Sequence, residues 1–257
     1  MKSWIDRLFR NAIAFEVISV FIYAFYCLVF ALAATPSAVL LDWGGRQFLG
    51  QGIPLLVLFV FLCSVAFYVF LIVAALVVGC VERLMTLGLK PGVYAAGSPV
   101  FVRWIVYAGL HLWLVYLVLP FLRGNNWIKV YLRIAGAKVG RGSFLNTQHF
   151  YDPYLLTIGD DVVIGGEATL TCHLFEGGRL HLGNIIVGKA TAIGAEAYLT
   201  PGTTTGTNSK IGMSTFLGRN TTVRNGETYL SLPSMNLRQA ARLMREEKRK
   251  EKPDAFV

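Results

Sequence analysis

Two hydrophobic patterns divide the chain. The first is unbroken apolarity. Residues 17–34 carry only Ser19 as a small polar side chain, and residues 53–81 carry no charge. Both runs exceed the roughly 18 residues that mark a membrane-spanning helix. Glu16 at the mouth of the first run, and the lack of a small-x-small site before the next charge, argue against a cleavable signal peptide. Two spanning helices are predicted. The second pattern is a strict period of six: Val187, Ile193, Leu199, Thr205, Ile211, Leu217 and Val223, with Thr205 the one polar member. Glycine follows at Gly188, Gly194, Gly206, Gly212 and Gly218. A helix repeats at 3.6 and a half-buried strand at 2, so neither gives six. A coil of three short flat strands does, each strand sending one aliphatic side chain inward. The glycine after it is expected to take a tight corner where a Cβ would cost energy. Ile158-Gly159, Ile164-Gly165 and Leu170 carry the same period one frame shifted. A parallel β-helix is predicted.

A third apolar run, 100–122, is interrupted by Arg103 and His111 and carries Trp104, Tyr107, Trp113 and Tyr116, read as interfacial aromatics. Basic residues help to place it. Lys2, Arg7 and Arg10 precede the first run; Arg83, Lys90 and Arg103 follow the second; Arg123, Lys129, Arg133, Lys138 and Arg141 follow the third. Only Arg46 lies between the first two runs. Lys and Arg favour the cytoplasmic side, and every basic cluster lies there only if the third run does not cross. The reading is an interfacial or re-entrant helix, with a third span as the alternative.

The predicted organisation is a membrane helical unit (1–122), a connector (123–138), a β-helix of four to five coils (139–230) and a charged tail (231–257). The tail has a short helical face, Leu237, Ala240, Ala241, Leu243 and Met244, capped by Asn236. The net charge of +9 is assigned to anionic lipid headgroups beside the basic segments. No basic stripe interleaved with aromatics speaks for nucleic acid. Cys27, Cys63 and Cys80 lie in apolar runs and Cys172 stands alone, so no disulfide framework is expected.

The six-residue period lapses between Leu170 and Val187, where 172–183 forms an inserted loop holding His173, Glu176 and His181. Loops on a rigid coil commonly carry function. Of the four histidines, His149, His173 and His181 belong to this half, and a histidine is suited to take a proton from an attacking hydroxyl or amine. No nucleophile elbow and no phosphate-binding glycine loop is present. Cys172 and His173 are neighbours on an extended segment and point apart, which disfavours a thiol nucleophile.

The segment 139–226 resembles the hexapeptide-repeat acyltransferases, enzymes built on a left-handed parallel β-helix. The resemblance rests on Asp152, then Ile158-Gly159-Asp160-Asp161-Val162-Val163-Ile164, then His173, an order similar to the maltose and galactoside O-acetyltransferases. Thr171-Cys172-His173-Leu174-Phe175 stands where those have Thr-x-x-His-Pro. A wider likeness takes in the paired apolar runs, Leu132-Arg133-Ile134-Ala135-Gly136-Ala137-Lys138-Val139-Gly140, Asp152-Pro153 and Thr171-Cys172-His173-Leu174-Phe175-Glu176. These are similar to the membrane-embedded terminal regions of some nonribosomal peptide synthetases, such as the ε-poly-lysine synthetase.

The resemblance implies a membrane-bound enzyme that moves an acyl or aminoacyl group from coenzyme A or a carrier-protein thioester to an amine or hydroxyl, without a metal. It implies His173 as general base, with Asp152 or Glu176 orienting it and His149 in reserve. Asn146 is the candidate on the acceptor side. Gly194, Ala195 and Ala197 would line a pantetheine groove between subunits of a homotrimer, and Lys210 and Arg219 would meet donor phosphates. The expected location is the inner membrane, with the β-helix on the cytoplasmic side. Two alternatives are a non-catalytic trimeric membrane scaffold and a γ-type carbonic anhydrase with zinc on His149, His173 and His181.

Overall fold

The computed structural model describes residues 12–230. The predicted tail helix and the first basic cluster lie outside the described residues. The apolar runs form helices α1 (Ala12–Phe48) and α2 (Ile53–Thr86), which pack along each other. The Ser37 hydroxyl donates to the Ala66 carbonyl at 2.8 Å where they meet. Strand β1 (Gly92–Ala95) and helix α3 (Pro99–Leu117) follow. Ser98 caps α3 by accepting the Phe101 N–H, with Pro99 in the first turn. These three helices are long and apolar enough to cross a membrane. Amphipathic α4 (Asn126–Ile134), capped by Asn125, leads into the coils.

The coils are regular. The first is β2 (Lys138–Val139), β3 (Phe144–Leu145) and β4 (Phe150–Tyr151); the second is β5 (Leu156–Ile158), β6 (Val163–Ile164) and β7 (Thr169–Thr171). An antiparallel hairpin, β8 (His173–Glu176) and β9 (Arg179–Leu182), then leaves the coil. The third coil is β10 (Ile185–Val187), β11 (Ala192–Ile193) and β12 (Tyr198–Leu199); the fourth is β13 (Thr204–Thr205), β14 (Lys210–Ile211) and β15 (Phe216–Leu217); β16 (Thr222–Val223) and β17 (Thr228–Tyr229) begin a fifth. Parallel pairing stacks them into three sheets, β2-β5-β10-β13-β16, β3-β6-β11-β14-β17 and β4-β7-β12-β15. This is the predicted parallel β-helix. Every member of the period-six series is buried, and the polar one, Thr205, accepts the Gly188 N–H with its hydroxyl at 3.2 Å.

The expected role of the repeat glycines is corrected. Gly159, Gly165, Gly188, Gly194, Gly206, Gly212 and Gly218 do not hold the left-handed conformation. That falls two residues later, at Asp161, Glu167, Ala190, Glu196, Asn208, Ser214 and Asn220, with φ between 50° and 58°. In the inner coils the glycines are required because coils stack backbone to backbone. A Cβ on Gly159 would lie 2.7 Å from the Lys189 nitrogen, and one on Gly165 would lie 2.5 Å from that of Ala195.

The segment predicted as an inserted loop is the β8–β9 hairpin, turning on Gly177-Gly178 with both residues at positive φ, as a tight two-residue turn requires. β1 adds to it as a third strand. The hairpin and the α2–α3 link therefore form one small sheet, which brings the start of α3 onto the β-helix. A second correction concerns the aromatics of the third run. Trp104 and Tyr107 are not at an interface with lipid but buried among protein, while Trp113 packs on Tyr23, Tyr26 and Phe30 of α1. Two basic residues also serve the protein: Arg103 donates to the Leu84 and Leu87 carbonyls at the end of α2, and Arg133 to that of Val139.

Candidate active site

The coil geometry delivers two side chains to one point. Asp152 follows β4 in the left-handed conformation, with φ 58°, and opens the single turn Pro153–Leu155. That turn angles its side chain toward the start of β8, where the chain leaves the coil at His173. The Asp152 carboxylate is 1% exposed, yet both oxygens are satisfied. Oδ2 accepts His173 Nδ1–H at 2.6 Å and Oδ1 accepts Trp104 Nε1–H at 2.8 Å. A buried carboxylate is tolerated only with such partners. Since a carboxylate accepts, the proton sits on Nδ1 and Nε2 keeps the lone pair. No partner engages Nε2 among the described residues. The imidazole is 28% exposed, with the Trp104 ring against its edge at 4.8 Å between centroids.

His173 and Asp152 line a cavity of about 430 Å³ that α3 shares with the sheet holding β4, β7 and β12. Trp104, Ala108 and Leu112 form part of the α3 wall; Tyr151, Thr169 and Tyr198 face them from the coils. His149 also lines it. Its Nε2 donates to Glu167 Oε2 at 3.0 Å, and the other Glu167 oxygen takes Arg123. The His149 hydrogen bond, followed by that of Arg123, holds the Glu167 carboxyl below the ordinary glutamate range.

Behind the cavity lies a second, closed cluster. His111 of α3 donates Nε2–H to the Phe150 carbonyl at 2.9 Å, and its Nδ1 meets Glu82 Oε1 of α2 at 3.0 Å. The Tyr131 hydroxyl of α4 donates to Glu82 Oε2 at 2.7 Å. Burial and the nearby Glu82 carboxylate push the Tyr131 phenol well above its ordinary range. His111 and Trp104 thus grip Phe150 at the start of β4 and Asp152 just beyond its end. The Cys172 thiol is fully buried, and burial raises its pKa, which leaves it protonated and inert.

Other expected site residues go elsewhere. Glu176 does not orient the imidazole: it pairs with Arg219 at 3.2 Å, and Arg219 also donates to His181. Arg219 is thereby occupied, and His181 is not among the cavity residues, so the three histidines proposed for zinc do not converge. No group of three His, Cys, Asp or Glu suited to a metal occurs among the described residues. Lys210 lies on the β3-β6-β11-β14-β17 sheet, away from the sheet that lines the cavity. The Ala197 side chain is buried, and Asn146 is exposed outside the cavity. Trp104, His111 and Glu82 were missed as site residues. Their signal was present in the sequence: ionisable and hydrogen-bonding residues in or beside apolar runs need partners.

The chain is 30% identical over 176 residues to the delta-poly-L-ornithine synthetase of Acinetobacter baumannii, a match covering 68% of this chain and 13% of that protein. The chain thus spans about an eighth of that relative. Among solved structures it is similar to a maltose O-acetyltransferase from Clostridium difficile, at 17% identity and a TM-score of 0.40, covering 59% and 93% of the two chains. It is also similar to a serine acetyltransferase from Neisseria gonorrhoeae, at 15% identity and a TM-score of 0.34, covering 90% and 97%. A galactoside acetyltransferase in complex with coenzyme A aligns at 15% identity and a TM-score of 0.33, covering 42% and 67%. No family model matches the chain.

Proposed function

We propose that the protein is a membrane-associated acyltransferase that moves an acyl or aminoacyl group from a thioester donor, coenzyme A or carrier protein, to an amine or hydroxyl. The observation that carries this reading is the Asp152–His173 pair, with the imidazole Nε2 unengaged at the wall of the cavity. Nε2 takes the acceptor's proton as its heteroatom attacks the thioester carbonyl. The C–S bond breaks, the thiolate leaves, and the imidazolium returns the proton to it. Transfer is direct and no covalent enzyme intermediate forms. Asp152 holds the tautomer that makes Nε2 the base and stabilises the imidazolium. Backbone N–H groups near the carbonyl would stabilise the oxyanion, an effect typically worth about 3 kcal/mol.

α1 and α2 cross the membrane in this reading, and α3 lies at its surface. Residues 101–111 of α3 contact the β8–β9 hairpin through the Phe101–Phe175 ring pair and the β-helix through Trp104 and His111. The rest of the helix is too short to cross a bilayer core of about 30 Å. The β-helix then lies on the basic, cytoplasmic side.

Purified protein and His173→Ala in detergent, given acyl-CoA and aminoacyl-carrier thioesters with amine and alcohol acceptors, test the reading. Thiol release that needs an acceptor and is lost by about 10²–10⁴-fold without the base supports it. Folded protein with no turnover on any donor would favour the scaffold instead.

A further inference from the structure

The base faces a cavity that the β-helix does not build alone. Of the residues that close it, Trp104, Tyr107, Ala108, His111 and Leu112 belong to α3. Their helical positions separate into two faces. Trp104, Tyr107 and His111 are buried against the coils. Ala108 and Leu112 belong to a different stripe, Ile105, Ala108, Leu112 and Tyr116, spaced i, i+3, i+7 and i+11. Ile105 is 41% exposed, Leu112 43% and Tyr116 63%. The rim opposite is Tyr198, 41% exposed, with Phe216 stacked on it at 5.8 Å. No unengaged charge stands among the cavity residues: Asp152 is held by Trp104 and His173, and His149 by Glu167. The cavity is therefore polar at its floor, and at its lip Ala108 and Leu112 belong to the exposed stripe of a helix packed on α1 and α2, a stripe that ends at Tyr116, whose hydroxyl is hydrogen-bonded to Tyr151.

We propose that the acyl acceptor is a membrane amphiphile: a long-chain amine or alcohol whose head reaches His173 Nε2 while its hydrocarbon tail leaves between Leu112 and Tyr198 along the α3 stripe. This rests on the acyl-transfer reading and names its acceptor class. The acceptor rather than the donor is assigned here because the base must meet the nucleophile that it deprotonates. The tail is assigned to lipid because Ala108 and Leu112 belong both to the cavity wall and to the exposed stripe of an apolar helix. It also gives α3 a role beyond anchoring, as one wall of the acceptor site.

Binding and transfer test it separately. The whole protein in lipid nanodiscs is photolabelled with a diazirine-bearing decylamine and the adducts are mapped by mass spectrometry. Adducts concentrated at Ala108, Leu112 and Tyr198, displaced by decylamine but not by propylamine, and reduced at least fivefold in a folded Leu112→Glu protein, are expected. Adducts spread evenly over α1 and α2, or undisplaced by decylamine, would overturn the proposal. In the transfer assay, the decylamine-to-propylamine ratio of kcat/KM should fall at least tenfold in Leu112→Glu, a change that partitioning into lipid does not produce. Turnover with propylamine and an unchanged ratio would reject the amphiphile while leaving acyl transfer standing. Specific labelling without turnover would reject acyl transfer while leaving the amphiphile site.

Discussion

Trp104 and Asp152, 48 positions apart, are joined by an indole N–H that donates to the buried carboxylate at 2.8 Å. The donor belongs to an apolar helix and the acceptor to a β-helix corner. The geometry of the candidate base is thus set from both halves of the chain at once. Without Trp104, one Asp152 oxygen would be buried with no donor, and the carboxylate would be free to turn away from His173.

This makes Trp104→Phe informative, because it keeps an aromatic ring beside His173 while removing the indole N–H together with the rest of the bicycle. A hydrogen bond to a charged group contributes about 1.5–3 kcal/mol. A fall in kcat of about tenfold or more is expected in a protein that still folds, with a lowered thermal midpoint because a buried carboxylate oxygen loses its donor. Unchanged kcat would show that His173 alone fixes the carboxylate.

Asp152→Asn preserves shape and loses the tautomer control. The amide can donate to Nδ1, which moves the ring proton to Nε2 and removes the base. A loss on the order of 10³-fold in kcat is expected, with KM little changed. Steady-state kinetics of the folded variant decide it.

The Glu82–His111–Tyr131 cluster is buried and fully partnered. Removing one member of a buried pair leaves the other uncompensated, typically at about 3–5 kcal/mol. Glu82→Leu and His111→Leu should each destabilise strongly, and the double variant by less than their sum. Thermal unfolding in one detergent measures the coupling; strict additivity would show that the pair does not act as a unit.

Acid sensitivity follows from Glu167. Its folded pKa lies below the ordinary glutamate value because His149 and Arg123 hold the charged form. The stability this gives is present above the unfolded pKa and is lost as pH falls through the lower folded one. Glu167→Gln should therefore be slightly less stable than wild type at neutral pH and converge with it in strong acid. The side chain is half exposed, so the difference will be small. Parallel melting curves across the pH range would read it, and a constant gap would refute the linkage.

The period-six series determined the β-helix. Each inward residue from Val187 to Val223 is specified by its own coil and the next, so a one-dimensional stack leaves its mark locally in sequence. The apolar runs determined α1 and α2 for a similar reason, since length and composition suffice. His173 was visible through the break in the period. Its partner was not fixed by spacing: Asp152 and Glu176 stood as equals until the left-handed turn at Asp152 aimed one inward and Arg219 took the other. The glycine rule was right in position and wrong in cause, because contact between stacked coils is invisible in a single repeat. Trp104 read as an interfacial aromatic and His111 as an interruption of an apolar run, because nothing near them in the chain names their partners. Those partners are an aspartate 48 positions away and a carbonyl 39 positions away. Only the docking of α3, by way of β1 on the β8–β9 hairpin, brings them within hydrogen-bond reach.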